Sequence, residues 1–170
     1  MLIINSVLGN VDHEKTVKEK IEQAKLNGTL KKLFLTRSEM EKSRLQKTTE
    51  DGLELGLVFE PGKTLQTGDV LNANSNTIMV HQLPEKVLHV RVKEENNPTL
   101  LVQVGHIIGN RHRPISISDD GTFVFPIHND GELDLFKELF HDIVDHLELY
   151  VSEEIFTSNK GMNAHEHSFF

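Results

Sequence analysis

The sequence contains no cysteine among its 170 residues. This absence excludes disulfide bonds, thiolate metal sites and a cysteine nucleophile, so any metal must be bound by imidazole or oxygen ligands. Tryptophan is also absent, and aromatic residues make up only 6% of the chain, so the core must be built mainly from Leu, Ile, Val and nine Phe. No apolar run approaches the roughly 20 residues that are needed to cross a bilayer.

Positive charge is scarce, because 18 Lys and Arg stand against 26 Asp and Glu and give a formal net charge of −8. A general affinity for nucleic acid needs a surplus of basic residues and is therefore not expected. The N-terminus, MLIINSVLGN, lacks the basic and long apolar segments of a secretory signal. We expect a cytoplasmic protein that binds neither nucleic acid nor membrane. Ten histidines are a mild enrichment that favours metal handling.

The first half of the chain, residues 1–82, predicts a small β domain. Short strand-like segments are expected at 2–11, 33–36, 44–49, 53–59, 70–71 and 77–80, separated by turns that contain Gly, Pro or Asp. One helix is predicted after Asp12, which would cap it, and before Asn27-Gly28, which would end it. Its buried face is expected to carry Val17, Ile21 and Ala24. The segment 38–44 has helical composition but no clear assignment.

The second half, residues 83–152, predicts the order β-α-β-β-α-β of a ferredoxin-like domain. Strands are expected at 86–92, 114–117, 122–127 and 146–152. The first helix begins at Asn97-Pro98, and its apolar positions are Leu100, Leu101, Val104, Ile107 and Ile108; those of the second are Leu133, Phe136, Phe140 and Ile143. The predicted fold class is therefore α+β. From Glu153 the periodicity stops, and residues 153–170 are predicted to form a flexible tail.

The segment Gly105 to His112, GHIIGNRH, contains the most distinctive histidines. His106 and His112 are six residues apart, so on a helix they point about 120° away from each other and cannot form an i, i+4 chelate. One imidazole is not a metal site, so a metal at His112 needs ligands from another segment or from a second subunit across a twofold axis. The alternative is that His112 caps the helix C-terminus, where the helix dipole favours it.

Other histidines give weaker patterns. His128 ends a predicted strand and is a candidate auxiliary ligand, although a structural role is the simpler interpretation. His141 with Asp145, and Asp142 with His146, have i, i+4 spacing on the second helix, but on its solvent-facing side. His165 and His167 in the tail are close enough to chelate a metal, unless the tail is an ordinary terminus.

These residues carry a resemblance to a known family. GHIIGNRH resembles the motif of the UreE family, whose core is GNRH. Leu83 to Val87, LPEKV, is similar to the stretch at which that family leaves its N-terminal domain. Arg44 to Gly52, and Pro61-Gly62 to Gly68-Asp69-Val70, resemble its N-terminal β domain. The similarity covers roughly residues 1–150, and the order of elements agrees.

The resemblance implies a homodimer whose ferredoxin-like domains meet at a twofold axis. His112 from both subunits would bind Ni²⁺ there, with Zn²⁺ possible at the same site, and the tail histidines His165 and His167 would supply auxiliary ligands. The N-terminal domain would contact other urease-maturation proteins. The protein would have no catalytic or organic cofactor-binding residues, would not be an enzyme, and would pass nickel to the GTPase UreG and so to the apo-urease complex.

Two other functions compete with nickel delivery. A His-based, metal-dependent hydrolase needs three fixed ligands and an open position for water in one chain. The folded region offers no HxH or HExxH pattern, and the one HxH, at His165 and His167, lies in the tail. A metal-independent adapter in a maturation complex would keep both domains without using the metal. The tail also differs from the long His-rich tails of some UreE proteins, because it has only two histidines.

Overall fold

A computed structural model describes residues 1–158 and divides the chain into two compact units, Met1–Leu83 and a second that begins at Pro84. Three sheets and four α-helices are found in this part of the chain, so the predicted α+β class is confirmed. Within residues 1–158, no helix is both long and apolar enough to cross a membrane.

The first unit is built on two sheets. One has the strand order β1-β5-β4, with β1 at Leu2–Ile4, β4 at Arg44–Thr48 and β5 at Glu54–Val58. The other has the order β2-β6-β7-β3, with β2 at Gly9–Asn10, β3 at Leu30–Leu35, β6 at Asp69–Ala73 and β7 at Asn76–Gln82. Leu55 and Leu57 of the first sheet share one buried cluster with Leu33, Leu35 and Ile78 of the second. This shared cluster is the core of the unit.

The single strand predicted at 2–11 is wrong, because β1 and β2 are separate. β1 pairs with β5 in one sheet, whereas β2 pairs with β6 in the other, so the chain crosses from sheet to sheet between them. The strands expected at 70–71 and 77–80 are confirmed as parts of β6 and β7, which form an antiparallel hairpin with Asn74 at its turn, at a φ of +56°.

Helix α1 spans Lys15–Asn27 and buries the three predicted residues Val17, Ile21 and Ala24. It ends at Gly28, whose φ of +69° is the left-handed conformation that favours glycine. The predicted cap is wrong, because Glu14 and not Asp12 precedes the first helical residue. The unassigned segment 38–44 overlaps α2 at Arg37–Met40, whose single turn is too short to show a periodic pattern. The Thr36 side chain caps this helix.

The second unit has the predicted element order. It consists of β8 at Glu85–Val92, α3 at Pro98–Gly109, β9 at Ser116–Ile117, β10 at Phe123–Pro126, α4 at Gly131–Leu139, a 3-10 turn at Val144–His146 and β11 at Leu147–Glu154. The strand order is β11-β8-β10-β9, and every pairing is antiparallel. Such an arrangement, with crossover helices between outer and inner strands, is ferredoxin-like.

Both helices of the second unit pack into one buried cluster with the sheet. The rings of Phe125 and Phe136 meet edge to face with their centroids 4.8 Å apart. Two predicted apolar positions differ from the structure. Leu101 is 38% exposed, because α3 buries only Leu100, Val104 and Ile108. Ile143 lies beyond α4, although it still packs against the core from the following turn.

The predicted tail begins too early at Glu153. The pairing of β11 with β8 continues to Glu154, opposite Glu85. Phe156 is 3% exposed and packs against Val87 and Val124, so burial of this ring extends the folded region beyond the last strand. His165 and His167 lie outside the described residues.

One histidine of the first unit is held in an unfavourable environment for its charged form. The His81 ring of β7 stacks against Phe34 of β3 with 5.3 Å between ring centroids, and its Nε2 atom is buried without a partner in residues 1–158. Burial lowers the pKa of His81 below its usual 6.5, and the nearby positive charge of Lys32 acts in the same direction.

This burial predicts a pH-dependent stability. Because the pKa of His81 is lower in the folded chain than in the unfolded chain, its contribution to stability is present above about pH 6.5 and is lost as the pH falls toward the folded-state pKa. We expect His81→Phe, which keeps an aromatic ring against Phe34, to lose less stability than wild type between pH 7 and pH 5. Urea unfolding followed by circular dichroism measures this, with exposed His13→Gln as the control. Parallel profiles for wild type and His81→Phe would contradict the assignment.

Candidate metal centre

Helix α3 places the candidate ligand His112 just beyond its C-terminus. Asn97 caps the start of the helix, because its side chain accepts a hydrogen bond of 3.2 Å from the Leu100 amide, and Pro98 is the first helical residue. It ends at Gly109, and the amide of His112 donates to the Gly109 carbonyl at 3.0 Å. The chain therefore turns at His112 while the last carbonyls of the helix keep their partners.

The backbone of His112 has a φ of +52°, which is uncommon for a residue with a side chain. The sequence favours Asn110 for such a left-handed cap, but Asn110 has a φ of −64°. His112 thus takes the conformation that reverses the chain after the helix. Helical spacing alone would place His112 on the same face as Val104 and Ile108, but α3 ends at Gly109 and the chain turns, so the His112 side chain is exposed.

His106 does not join His112 in a chelate. It lies on the exposed side of α3, where its Nε2 atom is 3.3 Å from the Asn110 side-chain nitrogen.

The residue after His112 is anchored to the core of the second unit. Arg113 donates from Nη1 to the Pro126 carbonyl at 2.9 Å and to Glu132 at 3.1 Å, and its Nη2 binds the other oxygen of Glu132. The two side chains are only 16% and 13% exposed. The Arg113 guanidinium beside it lowers the pKa of Glu132, which is therefore ionised at neutral pH. This ion pair links the end of the His112 turn to β10 and α4.

His128 is tied to the same carboxylate. It lies exposed after β10, and its backbone amide donates to Glu132 at 2.6 Å. Glu132 therefore connects the segment that carries His128 with the segment that carries His112. Sequence reasoning did not identify Arg113 or Glu132, because two residues 19 positions apart show no spacing pattern. The one available signal was an acidic residue in the first turn of α4.

The i, i+4 pairs expected on the second helix do not form. Helix α4 ends at Leu139, so His141 and Asp145 are not on a common helical face. Instead, Nε2 of His141 lies 2.9 Å from Oδ1 of Asp142, and Nδ1 of His146 lies 2.5 Å from Oε1 of Glu94, which follows β8. His141, Asp142, Asp145 and His146 are all exposed, so these side chains face solvent, as the sequence indicated.

No single group of side chains in residues 1–158 forms a metal site. Within this part of the chain, no three or more His, Asp or Glu side chains are grouped so that they could hold a metal ion. Each candidate histidine that the structure describes is exposed and lies on a separate segment. The donor chemistry at His112 suits a borderline divalent cation such as nickel or zinc. Further ligands must come from beyond these residues or from another chain.

The sequence is similar to that of known urease accessory proteins. Residues 4–82 match the family model for the N-terminal domain of the UreE urease accessory proteins. The urease accessory protein UreE of Yersinia aldovae is 33% identical over 121 residues, which cover 66% of this chain and 51% of that protein. The proteins of the same name from Yersinia pestis (strain Pestoides F) and Yersinia pseudotuberculosis serotype O:1b are each 31% identical with the same coverage. The chain spans about half the length of these curated relatives.

The ion pair beneath the His112 turn predicts a stability change. Glu132→Gln should leave the Arg113 charge largely buried without its counter-ion and lower the free energy of unfolding by about 1–3 kcal/mol. The exposed Glu138→Gln on the same helix should change it by less than about 0.5 kcal/mol. Urea unfolding at pH 7 measures both.

The stability difference between wild type and Glu132→Gln should depend on pH. Because the pKa of Glu132 is lowered from its usual 4.5, the contribution of its charge is present above that pH and is lost as the pH falls through the folded-state pKa. The difference between wild type and Glu132→Gln should therefore shrink in acid. Equal stability of Glu132→Gln and Glu138→Gln at pH 7 would contradict an anchoring role.

Proposed function

The chain belongs to the UreE family of urease accessory proteins, and from this premise we propose that it is a nickel carrier. It binds Ni²⁺ between the two subunits of a homodimer through His112 of each. It then delivers the metal during assembly of the urease active site, through the GTPase UreG and the apo-urease complex. The carrier has no catalytic step of its own.

The observation that carries this proposal is the placement of His112. Its imidazole is exposed at a turn whose far side is fixed by Arg113, while no cluster of ligands accompanies it within residues 1–158. One imidazole binds a divalent cation weakly, so a useful site needs a second ligand in a fixed position. A twofold axis beside His112 would supply a second His112 imidazole, fixed by the same Arg113–Glu132 ion pair in the other subunit. No further ligand is then needed from the same chain to form the pair.

Auxiliary ligands complete the coordination sphere. His165 and His167 are proposed to bind from the C-terminal segment, and His128 lies on a segment that Glu132 links to the His112 turn. Ligands from different segments suit a carrier, because each can detach in turn when the metal is transferred. Zn²⁺ fits the same imidazole set.

A hydrolase is less well supported by the geometry. It needs three ligands and a general base held in one arrangement, and the exposed histidines of residues 1–158 stand on separate segments instead. A metal-independent adapter would share the fold and the partners of the carrier. Metal titration separates the adapter from the carrier.

The first test removes the shared ligand. His112→Ala should weaken the tightest Ni²⁺ binding by about 100-fold or more, since each dimer loses two imidazoles, whereas exposed His141→Ala should bind as wild type does. Isothermal titration calorimetry gives affinity and stoichiometry, and sedimentation velocity verifies that the dimer remains. Acidification should weaken wild-type binding, because only neutral imidazole binds a metal. A His112→Ala dimer with wild-type affinity and stoichiometry would sink the proposal.

The second test concerns the C-terminal segment. His165→Ala/His167→Ala should reduce nickel affinity or capacity, by about tenfold for an auxiliary pair of ligands. The matched control is Asn159→Ala/Asn163→Ala in the same segment. A truncation after Ser158 should give the same nickel result and keep the fold, because it spares the buried Phe156. Unchanged calorimetric titrations of the double histidine variant would show that these residues are not ligands.

A further inference from the structure

The second unit has a sheet face that its helices do not cover. Alternate residues of its strands, such as Leu88 and Val90, pack with α3 and α4, so the residues between them point to the opposite side. We call this opposite side the open face. A cavity of about 600 Å³ lies on it, which is within the usual range for ligand sites.

The floor of the cavity is a single row of side chains across all four strands. Tyr150 of β11 is paired with His89 of β8, His89 with Val124 of β10, and Val124 with Ser116 of β9. The rings of Tyr150 and His89 are stacked, with 4.3 Å between centroids and 7° between planes. Tyr150 is 52% exposed, so the row presents an aromatic surface that is supported from one side.

One wall is the hairpin between β9 and β10. Asp120 accepts hydrogen bonds from the Ser118 hydroxyl and from the Thr122 amide, the latter at 3.1 Å. These bonds, the Ser118 hydroxyl first, lower the pKa of Asp120, so its carboxylate is charged at neutral pH. Asp119 is exposed beside it. The hairpin therefore presents two carboxylates to the cavity.

The other wall is the segment that follows β11. Phe156 is buried against Val87 and Val124 and holds this segment over the sheet. The Glu154 carboxylate at its start lies 3.5 Å from His89 Nε2 and accepts a hydrogen bond of 3.2 Å from Ser152. A third carboxylate is thereby fixed opposite the hairpin, beside the stacked rings.

The charged groups that line the cavity are carboxylates, with the His89 ring beside them. Asp119, Asp120 and Glu154 line it, and none of the lining residues is Lys or Arg. Arg91 lies on the same face and its charge helps to lower the pKa of Asp120, but its guanidinium is bound to Glu148 through Nε at 3.0 Å and Nη2 at 2.6 Å. An anionic ligand is therefore disfavoured, whereas a cation gains both carboxylates and aromatic surface.

We propose that this cavity binds an arginine side chain that a partner protein presents on an extended peptide segment. A planar guanidinium can stack on an aromatic ring and bind carboxylates with two donors at once, which an ammonium cannot. The cavity is larger than one such side chain, so it also accommodates the flanking peptide. This site uses none of the proposed nickel ligands and does not rest on nickel binding.

The chain provides its own reporter for this site. Tyr150 is the single tyrosine and there is no tryptophan, so intrinsic fluorescence reports the cavity floor alone. The probe is the capped pentapeptide GGRGG, which does not fluoresce. We expect it to change Tyr150 fluorescence saturably, with weaker binding at higher salt. Capped GGEGG should give no response, and GGKGG should bind more weakly.

Matched variants locate the effect. Asp119→Asn should weaken GGRGG binding about three- to fivefold, whereas Asp142→Asn, the same change beyond α4, should leave it unchanged. Tyr150→Ala, followed by calorimetry, should weaken it by up to about tenfold. No saturable response at millimolar GGRGG, or equal effects of Asp119→Asn and Asp142→Asn, would overturn the proposal. If N-acetylarginine amide binds as tightly as GGRGG, the flanking peptide does not contribute. The proposal of a peptide ligand would then be wrong, and the site would be assigned to a small cationic ligand.

Discussion

The Arg113–Glu132 ion pair is the interaction on which the candidate metal centre depends. It is largely buried, it also reaches the Pro126 carbonyl, and Glu132 holds the amide of His128 as well. One carboxylate therefore joins the turn after α3, the end of β10 and the start of α4. Removing either charge would leave the other without its counter-ion in a poorly hydrated position, which is costly. The turn at His112 is thus fixed from inside while its imidazole stays in solvent.

The residues that fix the position of His112 are not the residues that would bind a metal with it. The helix end and the ion pair define where His112 stands, but the described chain supplies no second ligand beside it. A resident catalytic metal would require several ligands held together in advance. A cargo metal that must be released is better served by an incomplete site, completed by a symmetry mate and by detachable histidines. The incomplete set of ligands around His112 therefore agrees with the proposal that the similarity to UreE proteins motivates.

Periodic features of the fold could be read from the sequence, whereas contacts between distant residues could not. The i, i+4 recurrence of Leu100, Val104 and Ile108 identified α3 and its buried side. The same pattern placed Ile143 on α4 wrongly, because a turn after the helix can pack an apolar side chain against the same core. Phe156 was assigned to the tail, because the residues next to it in the sequence do not show that it packs against the distant Val87 and Val124.

The candidate site shows the same division. The motif pointed to His112, but its left-handed backbone was not predictable, because Asn110 is the residue type that more often adopts it. The Arg113–Glu132 pair and the His89–Tyr150 stack bring together residues 19 and 61 positions apart, and only the fold reveals them. The ligand roles of His128, His165 and His167 remain predictions from the sequence.

We propose that one nickel site is shared by two subunits, and dimers that combine wild-type and variant chains can test this sharing. Wild-type chains and mass-tagged His112→Ala chains can be exchanged, loaded with limiting Ni²⁺, and analysed by native mass spectrometry. We expect wild-type dimers to carry the nickel, and mixed dimers, with a single His112, to retain little more nickel than His112→Ala dimers. Mixed dimers that hold one tightly bound nickel as readily as wild-type dimers would contradict it, because the site would then lie within one subunit.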